Sequence, residues 1–233
     1  MRISNVIRAS AVAGLLLIGS MPVFADMIGA NGCVGGVCPG TLDVFSNLPG
    51  TLLASATDSR WIAYDAQGNA LYGGVLRSAV YKNAGNTLDF YYQFASSGNS
   101  IDSVGRMTMT NFAGFTTNVG YRMDNWDDTT GFSGQFLAAT QAPVSADRSS
   151  SGGTVGFSFY GRGGAIDPSE TSATLVIRTN AYDFTAGSLT TQNGAVYTTN
   201  AFAPTTLSGV PEPGTYVLIG AGLIAIAGFR RRK

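Results

Sequence analysis

Apolar and polar side chains alternate with a period of two over short stretches, and Gly, Asn and Asp interrupt them at short intervals. In the segment 87–94, Leu88, Phe90, Tyr92 and Phe94 fall on one side, with Thr87, Asp89, Tyr91 and Gln93 on the other. A strand points successive side chains to opposite faces, so this pattern buries one face of a β-strand; wound as a helix it would scatter its apolar residues. Val155, Phe157 and Phe159 repeat the pattern, as do Ala173, Leu175 and Ile177, in segments 154–160 and 173–178. The same reasoning predicts strands at 42–45, 52–56, 61–64, 70–76, 79–82, 105–112, 118–123, 131–138 and 195–199. Outside the two ends of the chain, no long stretch carries a helical stripe.

Turn chemistry separates these segments. Residues 65–69, 83–86 and 96–99 are rich in Asn, Asp, Ser and Gly, and Asn193-Gly194 is a strong hairpin dipeptide because both residues tolerate positive φ. Short strands at this spacing predict an all-β domain, an antiparallel β-sandwich or jelly roll with one face of each strand buried. Residues 141–153 read as a long loop, and 203–209, rich in Pro, Thr and Ser, as a linker. No repeat of fixed period is present.

The chain has no histidine. That removes Ser-His-Asp and Cys-His sites and every imidazole metal ligand. Gly131-Phe132-Ser133-Gly134-Gln135 lacks the last glycine of a nucleophile elbow, and Gly161-Arg162-Gly163-Gly164 lacks the spacing of a phosphate loop. Two carboxylates suffice for glycoside hydrolysis, but Glu170 and the aspartates are scattered through turn-like sequence. No catalytic residue and no cofactor is predicted. The densest acidic spot is Asp124, Asp127 and Asp128; oxygen ligands of this kind suit Ca²⁺, although the register is not that of an EF-hand and an exposed turn is the plainer reading. Trp61, Trp126, Tyr91, Tyr92 and Tyr160 are aromatics of the kind that stack on sugar rings. Tyr91 and Tyr160 lie on the polar side of their strands, which makes them the candidate sugar platform.

Cys33 and Cys38 are the only cysteines. Their spacing, with two glycines between, suits a small-loop disulfide in an oxidising compartment. A redox pair or metal site would want Cys-x-x-Cys and further ligands.

Both ends of the chain predict export. Arg2 and Arg8 precede an apolar stretch at 9–19, and Val23 and Ala25 occupy the positions a signal peptidase reads. Residues 1–25 are therefore a predicted signal peptide, cut between Ala25 and Asp26 after passage through the Sec translocon; an uncleaved N-terminal anchor is the alternative. At the other end Pro211, Glu212 and Pro213 precede an apolar helix at 214–229, and Arg230, Arg231, Arg232 and Lys233 follow. The wholly apolar part, 216–229, is roughly 21 Å long as a helix, short of the roughly 30 Å hydrocarbon core. It halts a chain in the inner membrane but is a poor lasting anchor. Its cations stay on the cytoplasmic side, which places the rest of the protein across the membrane. The prolines keep the preceding segment extended and accessible to an enzyme.

Between these ends, the span 26–209 holds eight Lys and Arg against 13 Asp and Glu, a net charge near −5. An acidic domain with no basic stripe excludes nucleic acid as a partner.

Residues 210–233 resemble the PEP-CTERM sorting signal of Gram-negative bacteria, with its Pro-Glu-Pro motif, short apolar helix and terminal Arg cluster. The resemblance implies an exosortase-type membrane transpeptidase as partner. It also implies a protein anchored briefly in the inner membrane and then moved to the cell surface or extracellular matrix. Leu88-Asp89-Phe90-Tyr91-Tyr92-Gln93, Gly120-Tyr121-Arg122 and the segment 175–180 resemble stretches of other passengers of this sorting class. A structural or adhesive, exopolysaccharide-associated role follows as the first expectation. A carbohydrate-binding module is the second, and a two-carboxylate glycan hydrolase a distant third.

Overall fold

A computed structural model of the chain describes residues 26–47, 49–125, 136–160 and 164–206. The expected signal peptide, the sorting segment, Trp126, Asp127, Asp128 and residues 131–135 of one expected strand lie outside the described residues.

The described residues form β1 (Asp26–Met27), β2 (Cys33–Gly35), β3 (Asp43–Val44), β4 (Thr51–Tyr64), β5 (Ala70–Lys82), β6 (Leu88–Ser96), β7 (Arg106–Met109), β8 (Thr117–Arg122), β9 (Ser145–Arg148), β10 (Val155–Ser158), β11 (Thr174–Thr179), β12 (Asp183–Asn193) and β13 (Ala195–Thr205). They build two sheets packed face to face. The first has the order β1-β8-β11-β6-β5-β4, and the second β13-β12-β7-β10-β9-β2. β1 and β3 share one edge of β8, so two fragments of two residues each cover the edge that a single strand would otherwise leave open.

The core between the sheets is the one the alternation predicts. Leu88, Phe90, Tyr92 and Phe94 of β6 pack with Leu175 and Ile177 of β11 and with Met107, Met109, Val155 and Phe157 of the second sheet, all essentially without solvent exposure. Each such side chain contributes on the order of 2 kcal/mol of transfer free energy. Inward tyrosines tie the sheets together through their hydroxyls. Tyr92 Oη donates to the Phe202 carbonyl at 2.5 Å, and Tyr72 Oη to the Ala195 carbonyl at 2.7 Å.

The turns form where their residues demand. Asp65 Oδ1 accepts from the Gln67 and Asn69 amides and closes the β4–β5 hairpin. Asn83 Oδ1 does the same for Gly85 and Thr87 between β5 and β6. The β12–β13 ladder closes around Gly194 at φ 63°.

Several boundaries differ from expectation. The predicted pairs of short strands at 52–56 and 61–64, and at 70–76 and 79–82, are single long strands, β4 and β5, that run through polar stretches. Backbone pairing does not require apolar side chains, and register shifts between Leu52 and Ala54 and between Asp58 and Trp61 absorb the irregularity. The expected loop at 141–153 contains β9, whose single apolar residue, Ala146, is too little to show a period in the sequence although inward and outward positions alternate in the fold. β12, rich in Thr and Ser, was not predicted. The expected linker start at 203 is wrong: Ala203 is fully buried and β13 runs to Thr205, with Pro204 tolerated because the strand lies at the sheet's edge. Residues 136–138 are not in a strand. The two-residue pairing of β3 with β8 is parallel, an exception in an otherwise antiparallel strand arrangement.

Candidate functional site

The two tyrosines proposed as a sugar platform do not come together. Tyr91 is fully buried, which overturns its expected exposure. The outer face of the first sheet is itself covered: Phe45, Ala79, Tyr81, Tyr91, Phe136 and Val176 form a second apolar cluster there. The Tyr91 ring meets Tyr81 edge-on at 4.8 Å between centroids, and burial pushes its hydroxyl pKa well up. Tyr160 follows β10 in the second sheet and is about half exposed. One side of its ring lies on Gly105, where a Cβ would fall inside the ring, and its hydroxyl donates to Asn193 Oδ1. Trp61 and Tyr92 are core residues; Trp61 stacks on Tyr197 at 4.5 Å.

The polar groups around that second cluster are largely satisfied by one another. Gln93, on β6, reaches the 136–141 segment, where its Nε2 donates to the Leu137 carbonyl at 2.8 Å and its Oε1 accepts from the Leu137 amide at 2.8 Å. Asp89 accepts from Asn83 Nδ2 at 2.8 Å and faces Arg178 at 3.4 Å. Burial raises the Asp89 pKa above the usual carboxylate value, and the Asn83 bond and the Arg178 charge oppose it only in part. Arg178 lies over the Phe45 ring. Asp124, the described member of the acidic spot, is held by Arg122 through a two-pronged ion pair, Nε to Oδ1 at 3.0 Å and Nη2 to Oδ2 at 2.6 Å. Among the described residues no group of three or more His, Cys, Asp or Glu is placed to hold a metal ion. Cys33 and Cys38 are joined as a disulfide beside β2, the edge strand of the second sheet.

A groove of about 780 Å³ opens where β4, β5 and the turn after β6 meet, and Leu137, next to Phe136 of the cluster, also lines it. Ile62, Val75 and the bare backbone of Gly73 line it together with Ser59, Ser97 and Asn99. Gly73 is required there, because a Cβ would come to 2.6 Å of the Trp61 carbonyl oxygen. Arg77 alone among the described lining residues is charged. Its Nη1 is buried without a hydrogen-bond partner, and burial pulls its pKa below the ordinary arginine value. Arg77 was not singled out from sequence, since it fell in the gap between two predicted strands. Its spacing of two from Val75 and Ala79 was the available signal that it shares their face.

The comparisons with known proteins speak to the C-terminal segment. Residues 209–233 match the family model described as the PEP-CTERM protein-sorting motif. The chain carries a PEP-CTERM sorting motif. The matched span contains Pro211, Glu212 and Pro213 and reaches Lys233. A PEP-CTERM motif implies an exported, surface-sorted protein processed by an exosortase. No curated protein and no solved structure matches the chain. Among the described residues, which exclude this segment, no helix is long and apolar enough to cross a membrane.

Proposed function

We propose that this exosortase-sorted protein is a non-enzymatic structural or adhesive component of the cell surface or extracellular matrix, associated with exopolysaccharide. The observation that carries the reading is the PEP-CTERM motif at 209–233, placed after a β-domain without histidine. Five of the described carboxylates are engaged within the fold, which favours a non-catalytic role for them. Asp147 is taken by Arg106 at 2.6 Å, Asp124 by Arg122, Asp58 by the Tyr197 hydroxyl, and Asp65 and Glu170 by turn amides. A general acid needs a carboxyl free to meet its substrate.

In the proposed sequence of events, signal peptidase cuts between Ala25 and Asp26, and the segment 214–229 halts in the inner membrane with Arg230, Arg231, Arg232 and Lys233 inside. The exosortase then meets Pro211, Glu212 and Pro213 at the outer boundary. Intact-mass measurement of the protein from cells tests both processing events. The expected product starts at Asp26 and has lost residues beyond the motif, and Glu212→Ala leaves a longer precursor in the inner membrane. Unchanged processing of Glu212→Ala would sink the sorting assignment. A carbohydrate-binding module is the second reading, favoured by the open groove beside Arg77.

A further inference from the structure

We infer that the groove between β4, β5 and the turn after β6 binds an acidic glycan, with a sugar carboxylate paired to Arg77 and ring hydroxyls meeting Ser59, Ser97 and Asn99. This deepens the sugar-binding reading and does not depend on the sorting route.

Charge complementarity is the first ground. A half-buried guanidinium with no hydrogen bond or ion pair is in an unfavourable state, because it has lost part of its water and gained nothing in exchange. The other described arginines contrast with it. Arg106 holds Asp147, Arg122 holds Asp124, Arg178 faces Asp89, and Arg148 donates to four carbonyls. Nη1 is the buried, unpartnered atom, so a planar carboxylate entering the groove pairs with the other guanidinium nitrogens and offsets the buried charge, and none of the described lining residues carries a negative charge to repel it.

The rest of the lining selects the body that bears this carboxylate. Its hydroxyl and amide groups match the hydroxyls of a pyranose ring. The apolar lining of Gly73, Val75 and Ile62, the last 47 % exposed, suits the apolar face of such a ring. Among the described lining residues an acidic peptide would find one cation. The volume, about 780 Å³, accommodates two or three sugar units rather than one carboxylate alone.

The full-length protein in detergent is titrated calorimetrically with oligogalacturonate, alginate oligomers and hyaluronan oligomers, with methyl-esterified oligogalacturonate and hexaglutamate as controls. Binding of at least one uronate oligomer is expected, weakening with added salt. The esterified form and the Arg77→Met variant bind at least tenfold more weakly, since one charged hydrogen-bonded contact contributes about 1.5–3 kcal/mol. Arg77→Lys retains part of the affinity. Arg77→Met is expected to melt no lower than the parent protein, because the cation it removes has no partner.

The inference is overturned if no uronate oligomer binds, if the esterified form binds as well as the acid, or if hexaglutamate binds as tightly as the sugars. Unaltered affinity in Arg77→Met places any binding elsewhere and overturns it too. Should that variant fail to fold, the esterified control on the parent protein decides. None of these outcomes touches the processing of Glu212→Ala, so the two readings fail separately.

Discussion

Tyr91 lies on β6 with its ring 4.8 Å from that of Tyr81 and 6.2 Å from that of Phe136, while its hydroxyl is buried with no hydrogen-bond partner. The ring contributes to packing and the oxygen does not. Tyr91→Phe is therefore expected to leave chemical-denaturation stability unchanged or raise it by up to about 1 kcal/mol, since an unsatisfied buried hydroxyl is removed. Tyr91→Ala should lose about 3–5 kcal/mol through the cavity it opens. A Phe variant clearly less stable than the parent would show that the hydroxyl has a bonding role. Asp89, its neighbour along the strand, makes a prediction about pH. Burial raises its pKa in the folded protein, so the native state binds this proton more readily than the unfolded chain does. The resulting stabilisation is present below the ordinary value near 3.8 and is lost as pH rises through the raised pKa. The stability difference between Asp89→Asn and the parent should accordingly shift in favour of the variant as pH rises from about 3.8. A difference that stays flat with pH would contradict the assignment.

At the level of the element, β9 shows how a strand can form with a single alanine, Ala146, as its apolar core contact. Arg106 holds Asp147 with two bonds of 2.6 and 2.7 Å across the sheet. Arg148, 7 % exposed, sends Nε to the Gly152 carbonyl, Nη1 to that of Ile28, and Nη2 to those of Phe112 and Phe115. One planar fork thus ties β9 to the segment after β1 and to the loop after β7. A lysine ammonium cannot reach four carbonyls set around a guanidinium. Arg148→Lys is expected to cost on the order of 3 kcal/mol in denaturant unfolding, from carbonyls left without donors. A loss under about 0.5 kcal/mol, the range of ordinary surface changes, would show the contacts to be incidental. The sequence 145–148 carries none of this, because its partners lie 33 to 120 residues away for all but Gly152. β6 and β11 differ: their alternating Leu, Phe, Tyr and Ile announce a strand locally, and the core they build is the one expected.

At the level of the whole molecule, what the residues determined alone is what local chemistry suffices to decide. Period-two alternation set the class, Asp65, Asn83 and Gly194 set turns through their own bonds or φ, and the segment 209–233 can be read as a linear signal because it is recognised as one. The closeness of Cys33 and Cys38 made their pairing plausible before any fold was known. Tertiary structure decided which polar faces are truly outside. Alternation alone turns the polar side of β6 toward solvent, yet Phe45 and Phe136 pack on that face and Tyr91, Asp89 and Gln93 are buried. The same covering stops short of Arg77 and leaves its guanidinium in an open groove. Alternation states only that a strand has two faces. Whether a second layer covers the polar one depends on segments far along the chain, and their placement is a property of packing that no local pattern contains.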